Sequence, residues 1–342
     1  MLLEIIFIAL EINTIYSNVF SGFKTKITFK VTTIANDVVV ILLRITLLLN
    51  KARILRALSK LYSFRNGQQK VNHSPLRKYA ILACAVCLLF PLALVIGCVS
   101  FALLKMDKYI SSVKLINQNS SNSRVEYALF ITGHTVLYMN HTLIFPGLVT
   151  VLLSFTYLSF IKTFQTHLDE MRCKLLRNLS RREISRALIV FTIAKEIHQD
   201  IEKAMSFVSF LVYVLSFGKI ISVISIIVTD ILPNEESMKI MHSYFIPIWT
   251  MMWFILLTMC GTQAKKSEAF IKNMNQEVAT KNFVKKGEEQ KDLNILNSCS
   301  KIELRFTGWG MFVVDKTLFL STAGVLVTYG VLYASEVSKI PD

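Results

Sequence analysis

The stretch "FTGWGMFVVDKTLFLSTAGVLVTYGVLYAS" occupies Phe306–Ser335 of a 342-residue chain. From Thr317 to Ser335 it holds no Asp, Glu, Lys or Arg, yet Asp315 and Lys316 stand at its entrance and Thr328, Tyr329 and Gly330 near its end. About 20 apolar helical residues cross roughly 30 Å of hydrocarbon, so the stretch reads as a membrane span with polar groups at chosen points.

Composition extends that reading to the whole chain. Hydrophobic residues make up 53%, charged residues 18%, and the mean hydropathy is +0.49, more apolar surface than a soluble domain of this length can hide. Tyr79–Leu104, Tyr127–Ile161 and Ile240–Ala264 carry no Asp, Glu, Lys or Arg, and Ala204–Thr229 is broken only by Lys219. Two weaker spans lie upstream: Val31–Asn50, with Asp37 and Arg44 inside it, and Met1–Phe20, with Glu4 and Glu11. The first is no signal peptide, because acid stands where a basic leader belongs. A span starting at Met1 has no flank to anchor it, so a preceding tail is expected.

The sum is an all-α polytopic membrane protein of seven transmembrane helices. Uninterrupted apolar runs exclude a β-barrel, whose strands alternate. Pro91, Pro146 and Pro247 are expected to kink their helices rather than end them.

Basic residues set the orientation. Residues 50–78, 161–203 and 263–306 hold 8, 9 and 9 Lys and Arg, whereas 20–30, 105–126, 230–243 and 336–342 hold 3, 4, 1 and 1. The richer loops belong in the cytoplasm, placing the N-terminus inside and the C-terminus outside. The same asymmetry accounts for the net charge of +15 without nucleic acid as a partner. The topology is the reverse of a G-protein-coupled receptor, and neither Asp-Arg-Tyr after the third span nor Asn-Pro-x-x-Tyr in the last is present.

Catalytic and cofactor signatures are missing too: there is no His-Glu-x-x-His and no Gly-rich phosphate loop, so the reading is of a non-enzyme with no cofactor and no metal. Cys84 and Cys87 form a CxxC string within an apolar span, where packing is the expected role. Asn119, in "NSS", is the glycosylation candidate of the outer loops.

From Leu304 onward the sequence resembles the C-terminal signature of the arthropod gustatory receptors, part of a seven-transmembrane chemoreceptor superfamily. The matching residues are Leu304, Phe306, Gly310, Phe312, Asp315, Lys316, Gly324, Thr328 and Tyr329. The resemblance implies a ligand-gated, non-selective cation channel in the plasma membrane of sensory cells that is opened by a small-molecule tastant. It implies a homotetramer, or a hetero-oligomer with related receptors, in which four last helices line one pore. Carried over by position, Leu332, Ser335 and Glu336 face the constriction; Ser335 and Glu336 stand where the family has Gln-Phe. A ring of four Glu336 carboxylates would attract cations but replace a hydrophobic gate; alternatively Glu336 lies beyond the membrane and Leu332 sets the constriction. Asp315 and Lys316 are either interface charges or partners of a neighbouring subunit, and Thr328 and Tyr329 are expected to bond a neighbouring helix.

Residues 1–262 then comprise the first six helices with the ligand pocket, 263–303 a cytoplasmic anchor loop, and 304–342 the pore helix and a short outer tail. His134, Tyr138 and His141 fall on one helical stripe, as hydrogen-bonding groups between helices or as pocket lining; two His alone make a poor metal site. Trp249 and Trp253 are pocket walls or an aromatic belt. Asp37 and Arg44 share a helix face and are each expected to find a partner on another helix or line the pocket. Leu168, Met171, Leu175, Leu179, Ile184, Leu188 and Phe191 recur at helical spacing among charges, so the fourth and fifth spans are expected to continue into the cytosol. A seven-helix metabotropic receptor and a truncated, non-functional family member are the alternatives.

Overall fold

The structure is a computed structural model, and it describes residues 27–66, 75–104, 123–177, 180–229, 245–281 and 303–337, with Ile8, Ala9 and Ile12 in addition. The helices are α1 (Ile27–Asn66), α2 (Pro75–Leu104), α3 (Ser123–Met139), α4 (Phe145–Arg177), α5 (Arg181–Thr229), α6 (Ile246–Lys281) and α7 (Lys316–Val337). A π-helical segment, Asn140–Ile144, joins α3 to α4. Five helices are long and apolar enough to cross a membrane, and Lys316–Leu332 is a shorter apolar helix. The weak span Val31–Asn50 is among the five. The expected Met1–Phe20 span, Asn119, and the loop beyond Lys281 as far as residue 302 lie outside the described residues, save the three named above.

Length carries some helices beyond a bilayer. The 49 residues of α5 extend about 74 Å at 1.5 Å per residue, far beyond about 30 Å of hydrocarbon. The periodic apolar residues of the extension do what their spacing requires: Leu168, Met171 and Leu175 of α4 and Ile184 and Phe191 of α5 are all buried in one core with Ile54 and Leu61 of α1 and Ile271 of α6. Charged pairs lace its surface, Lys60 with Asp200 at 2.6 Å and Arg172 with Glu277 at 2.8 Å.

A second, separate core gathers Cys87 of α2, Met139, Leu143 and Trp249 with Trp253. Around it the outer surface is apolar. Ile81, Leu82, Leu89 and Ile96 of α2 are exposed, the inverse of a soluble helix and the arrangement lipid would cover.

Helices do not account for everything. Before α7 the chain forms a hairpin, β1 (Thr307–Gly308) with β2 (Phe312–Val313), pairing Thr307 with Val313 and Gly308 with Phe312. Trp309 and Gly310 both take positive φ, 52° and 69°, and Met311 N–H donates to the Gly308 carbonyl at 2.9 Å, as a type I′ turn demands. Trp309 holds this left-handed conformation with its ring against Phe207 and Phe210, at 5.1 and 5.7 Å, and its N–H donating to the Ser206 carbonyl at 3.0 Å. The Gly310-to-Phe312 motif is thus the second half of a hairpin.

Candidate ligand cavity and pore helix

Proline chemistry builds the first site. Pro146 has no N–H to return to the Thr142 carbonyl four residues back, and the helix widens into the π segment just before it, with Phe145 N–H reaching the Asn140 carbonyl. Two groups from other helices supply donors instead: Lys219 Nζ of α5 to the Thr142 carbonyl, and Trp249 Nε1 of α6 to the Leu143 carbonyl at 3.3 Å.

On the other flank, α1 meets the same segment. His141 Nε2 lies 3.1 Å from Asp37 Oδ1, and the Arg44 guanidinium sits 4.0 Å over the Phe145 ring. Asp37 and Arg44 therefore meet two points four residues apart, as their shared helix face allows. α1 and α5 are locked close by: Asn36 Nδ2 donates to Ser222 Oγ at 3.1 Å, and a Cβ on Gly218 would come within 2.2 Å of Asn36 Oδ1. Tyr138 is hydrogen-bonded to Thr142 and within electrostatic reach of Asp37. The side chain of His134 lies outside the described residues.

A narrow cleft of about 20 Å³ opens beside this network, lined by Thr142, Pro146, Gly147, Thr150, Val212, Leu215, Ser216, Lys219, Trp249, Thr250 and Trp253. Trp249 stacks on Phe90 at 5.0 Å and meets Trp253 edge-on at 5.3 Å, so both tryptophans are cavity walls. Of the residues named from sequence, Trp249 and Trp253 line the cleft, while Asp37, His141, Arg44 and Tyr138 form the network beside it. Lys219, the charge that breaks the Ala204–Thr229 run, joins the lining; an intramembrane lysine is by itself a functional signal.

A second set of contacts ties the last helix to the bundle. Tyr157 of α4 donates to Glu202 of α5; Thr307 of β1 donates to the same carboxylate through its hydroxyl at 2.6 Å and its N–H at 3.3 Å. Asp315 is not a free interface charge, nor does it need a neighbouring subunit. Its side chain is 8% exposed and pairs with Lys265 of α6 at 2.9 Å, while its other oxygen accepts from the N–H groups of Thr317 and Leu318 at 2.9 and 3.1 Å, an N-cap for α7. Burial alone would raise the Asp315 carboxyl, but the Lys265 ammonium and the two capping amides outweigh it and hold the group below the usual carboxylate range. Further along, Tyr213 of α5 is hydrogen-bonded to Thr322 of α7.

The opposite face of α7 is exposed. Thr317, Ser321, Gly324, Thr328 and Ser335 are all exposed, and at 100° per residue they fall on one narrow strip. Leu332 is exposed beside it; helical register sets Glu336 about 100° round from Ser335, and its side chain lies outside the described residues. Thr328 donates to the Gly324 carbonyl of its own helix at 2.9 Å, not to a neighbouring helix as its position led us to expect.

No protein-family model matches the chain, and no curated protein matches it by sequence. Solved structures do. The insect olfactory receptor OR5 from Machilis hrabei in complex with eugenol superposes with a TM-score of 0.63 at 13% identity, covering 97% of this chain and 88% of that one. The same receptor solved without eugenol gives a TM-score of 0.63 at 13% identity, covering 96% and 87%. The chain therefore has the fold of an insect olfactory receptor.

Proposed function

We propose that the chain is a chemoreceptor of the gustatory type, working as a ligand-gated, non-selective cation channel. The observation that carries this reading is the fold, which follows nearly the whole length of a receptor solved with eugenol. The cleft beside the π segment receives a small molecule, and four copies of α7 surround a pore with the Thr317-to-Ser335 strip inward. Hydroxyl and glycine positions in an otherwise apolar helix suit a water-filled path. The contacts of Thr322 with Tyr213, Thr307 with Glu202 and Asp315 with Lys265 link the pore helix to the helices that wall the cleft. The N-terminus lies inside and the C-terminus outside, as the basic loops dictate, and the domain limits are those read from the sequence.

Whole-cell recording with cysteine substitution tests the pore. Thr328→Cys and Ser335→Cys channels should lose most of their cation current to a positively charged thiol reagent, while wild type and Val327→Cys, about 100° round the helix from Thr328, keep theirs. Equal block at all three positions would remove α7 as the pore lining. Replacing Glu336 by Gln separates the two gate readings, since only a carboxylate ring at the pore would change cation selectivity.

A further inference from the structure

The indole N–H of Trp253 has no protein acceptor among the described residues, although the side chain is 94% buried (6% exposed) and lines the cleft. A buried donor left unpaired is costly. Its neighbour differs: Trp249 spends its N–H on the Leu143 carbonyl. Beside Trp253 the wall is cut back, because residue 147 is glycine. A Cβ there would lie 3.4 Å from Trp253 Nε1, 3.5 Å from Trp249 Cζ2 and 3.1 Å from Cys87 Sγ. Glycine at 147 thus keeps a side chain from crowding the Trp253 nitrogen.

The rest of the lining narrows the chemistry. Thr150 and Ser216 turn their hydroxyl protons onto their own helices, at the Pro146 and Val212 carbonyls, 2.8 and 2.9 Å away. Lys219 Nζ is bound to the Thr142 carbonyl and lies within electrostatic reach of Asp37, so an anionic ligand would compete there with groups the protein already supplies. Val212, Leu215, Pro146 and the indole faces supply apolar walls. Resting on the reading of this cleft as the ligand site, we infer that its ligand is a small uncharged molecule, largely apolar or aromatic, whose single carbonyl- or ether-type oxygen accepts from Trp253 Nε1 beside Gly147.

Acetophenone and α-methylstyrene make the test, since they differ by C=O against C=CH2. Binding is followed in the detergent-solubilised full chain carrying Trp309→Phe. The chain has three tryptophans, so only Trp249 and Trp253 remain to report, and thermal stability gives a second readout. Acetophenone should be favoured over α-methylstyrene by about tenfold more in this protein than in its Trp253→Phe derivative, the worth of one hydrogen bond to a buried donor. Comparing the two ratios cancels the probes' different partitioning into detergent. Gly147→Ala combined with Cys87→Ala, which relieves the 3.1 Å contact, should weaken acetophenone and spare α-methylstyrene.

An unchanged ratio in Trp253→Phe, with both probes bound, overturns the inference and leaves the cleft as the ligand site. If neither probe alters emission or stability, the inference falls together with the cleft. Acetophenone-evoked current that survives Trp253→Phe would then show a channel whose ligand sits elsewhere.

Discussion

At Gly261 a single missing side chain decides whether α7 can dock. A Cβ there would lie 1.5 Å from the Val314 carbonyl oxygen, a backbone atom that cannot rotate away, so α6 and the segment entering α7 approach as closely as they do only because residue 261 is glycine. Gly261→Ala should destabilise the solubilised chain by about 3 kcal/mol or abolish surface expression, as read by fluorescence-detected size exclusion after heating; an unchanged melting profile would mean the approach is looser than these atoms require. Asp315, one residue beyond Val314, adds a pH dependence. Its carboxyl is held below the ordinary carboxylate value in the folded chain, so on acidification the unfolded chain takes up the proton first and stability falls. The contribution is complete above about pH 5 and is lost as pH drops through the folded value, below about 4. Asp315→Asn should remove this part of the acid sensitivity between pH 5 and 3 in a melting series, at the expense of a lower starting stability; parallel curves for the two proteins would sink the assignment.

Among the elements, the π segment shows what a sequence can and cannot disclose. The spans were legible because a bilayer demands long charge-free runs, and the helical extensions because Leu168 through Phe191 repeat at helical spacing. The π segment was not. Pro146 signals a lost donor, but the groups that replace it, Lys219 and Trp249, are 77 and 106 residues from the carbonyls they serve, and no local pattern names them. For the same reason Asp315 read as an interface charge: its partner Lys265 is 50 residues away on another helix. The cleft's tryptophans, and the acid–histidine pair beside it, were visible as residue types, whereas the orphaned Trp253 nitrogen exists only in three dimensions. The donor swap makes a double-mutant test. Lys219→Met should cost roughly 2 kcal/mol, because it leaves the Thr142 carbonyl without its donor. Adding Pro146→Ala restores an N–H that can reach Thr142 in a regular α-helix and should recover about 1 kcal/mol. Additive losses in the thermal-melting cycle would mean that Lys219 and Pro146 do not share the carbonyl.

For the whole molecule, α7 poses the question of what covers it. Its inner side packs on α5 and α6 through Thr322 and Leu326, both buried, but Leu320, Val325, Val327, Val331 and Leu332 remain exposed. Lipid covers one such face on a peripheral helix, as on α2; it does not explain a strip of hydroxyl and glycine positions flanked by large apolar residues on either side. A symmetric ring explains both features at once. With the strip turned inward, Val325 and Val327 lie about 80° to either side of its centre, and each subunit's Val325 flank meets the next subunit's Val327 flank, a heterologous contact that closes on itself. The cytoplasmic extensions of α4 and α5, too long for the bilayer, would hold the copies together below it. Oxidation of membranes carrying Val325→Cys with Val327→Cys should then yield a ladder of covalent dimer, trimer and tetramer on a non-reducing gel. Either substitution alone should run with wild type, because like flanks do not face each other. A ladder ending at dimer would mean a two-fold contact between identical faces, and the pore would have to be sought away from α7.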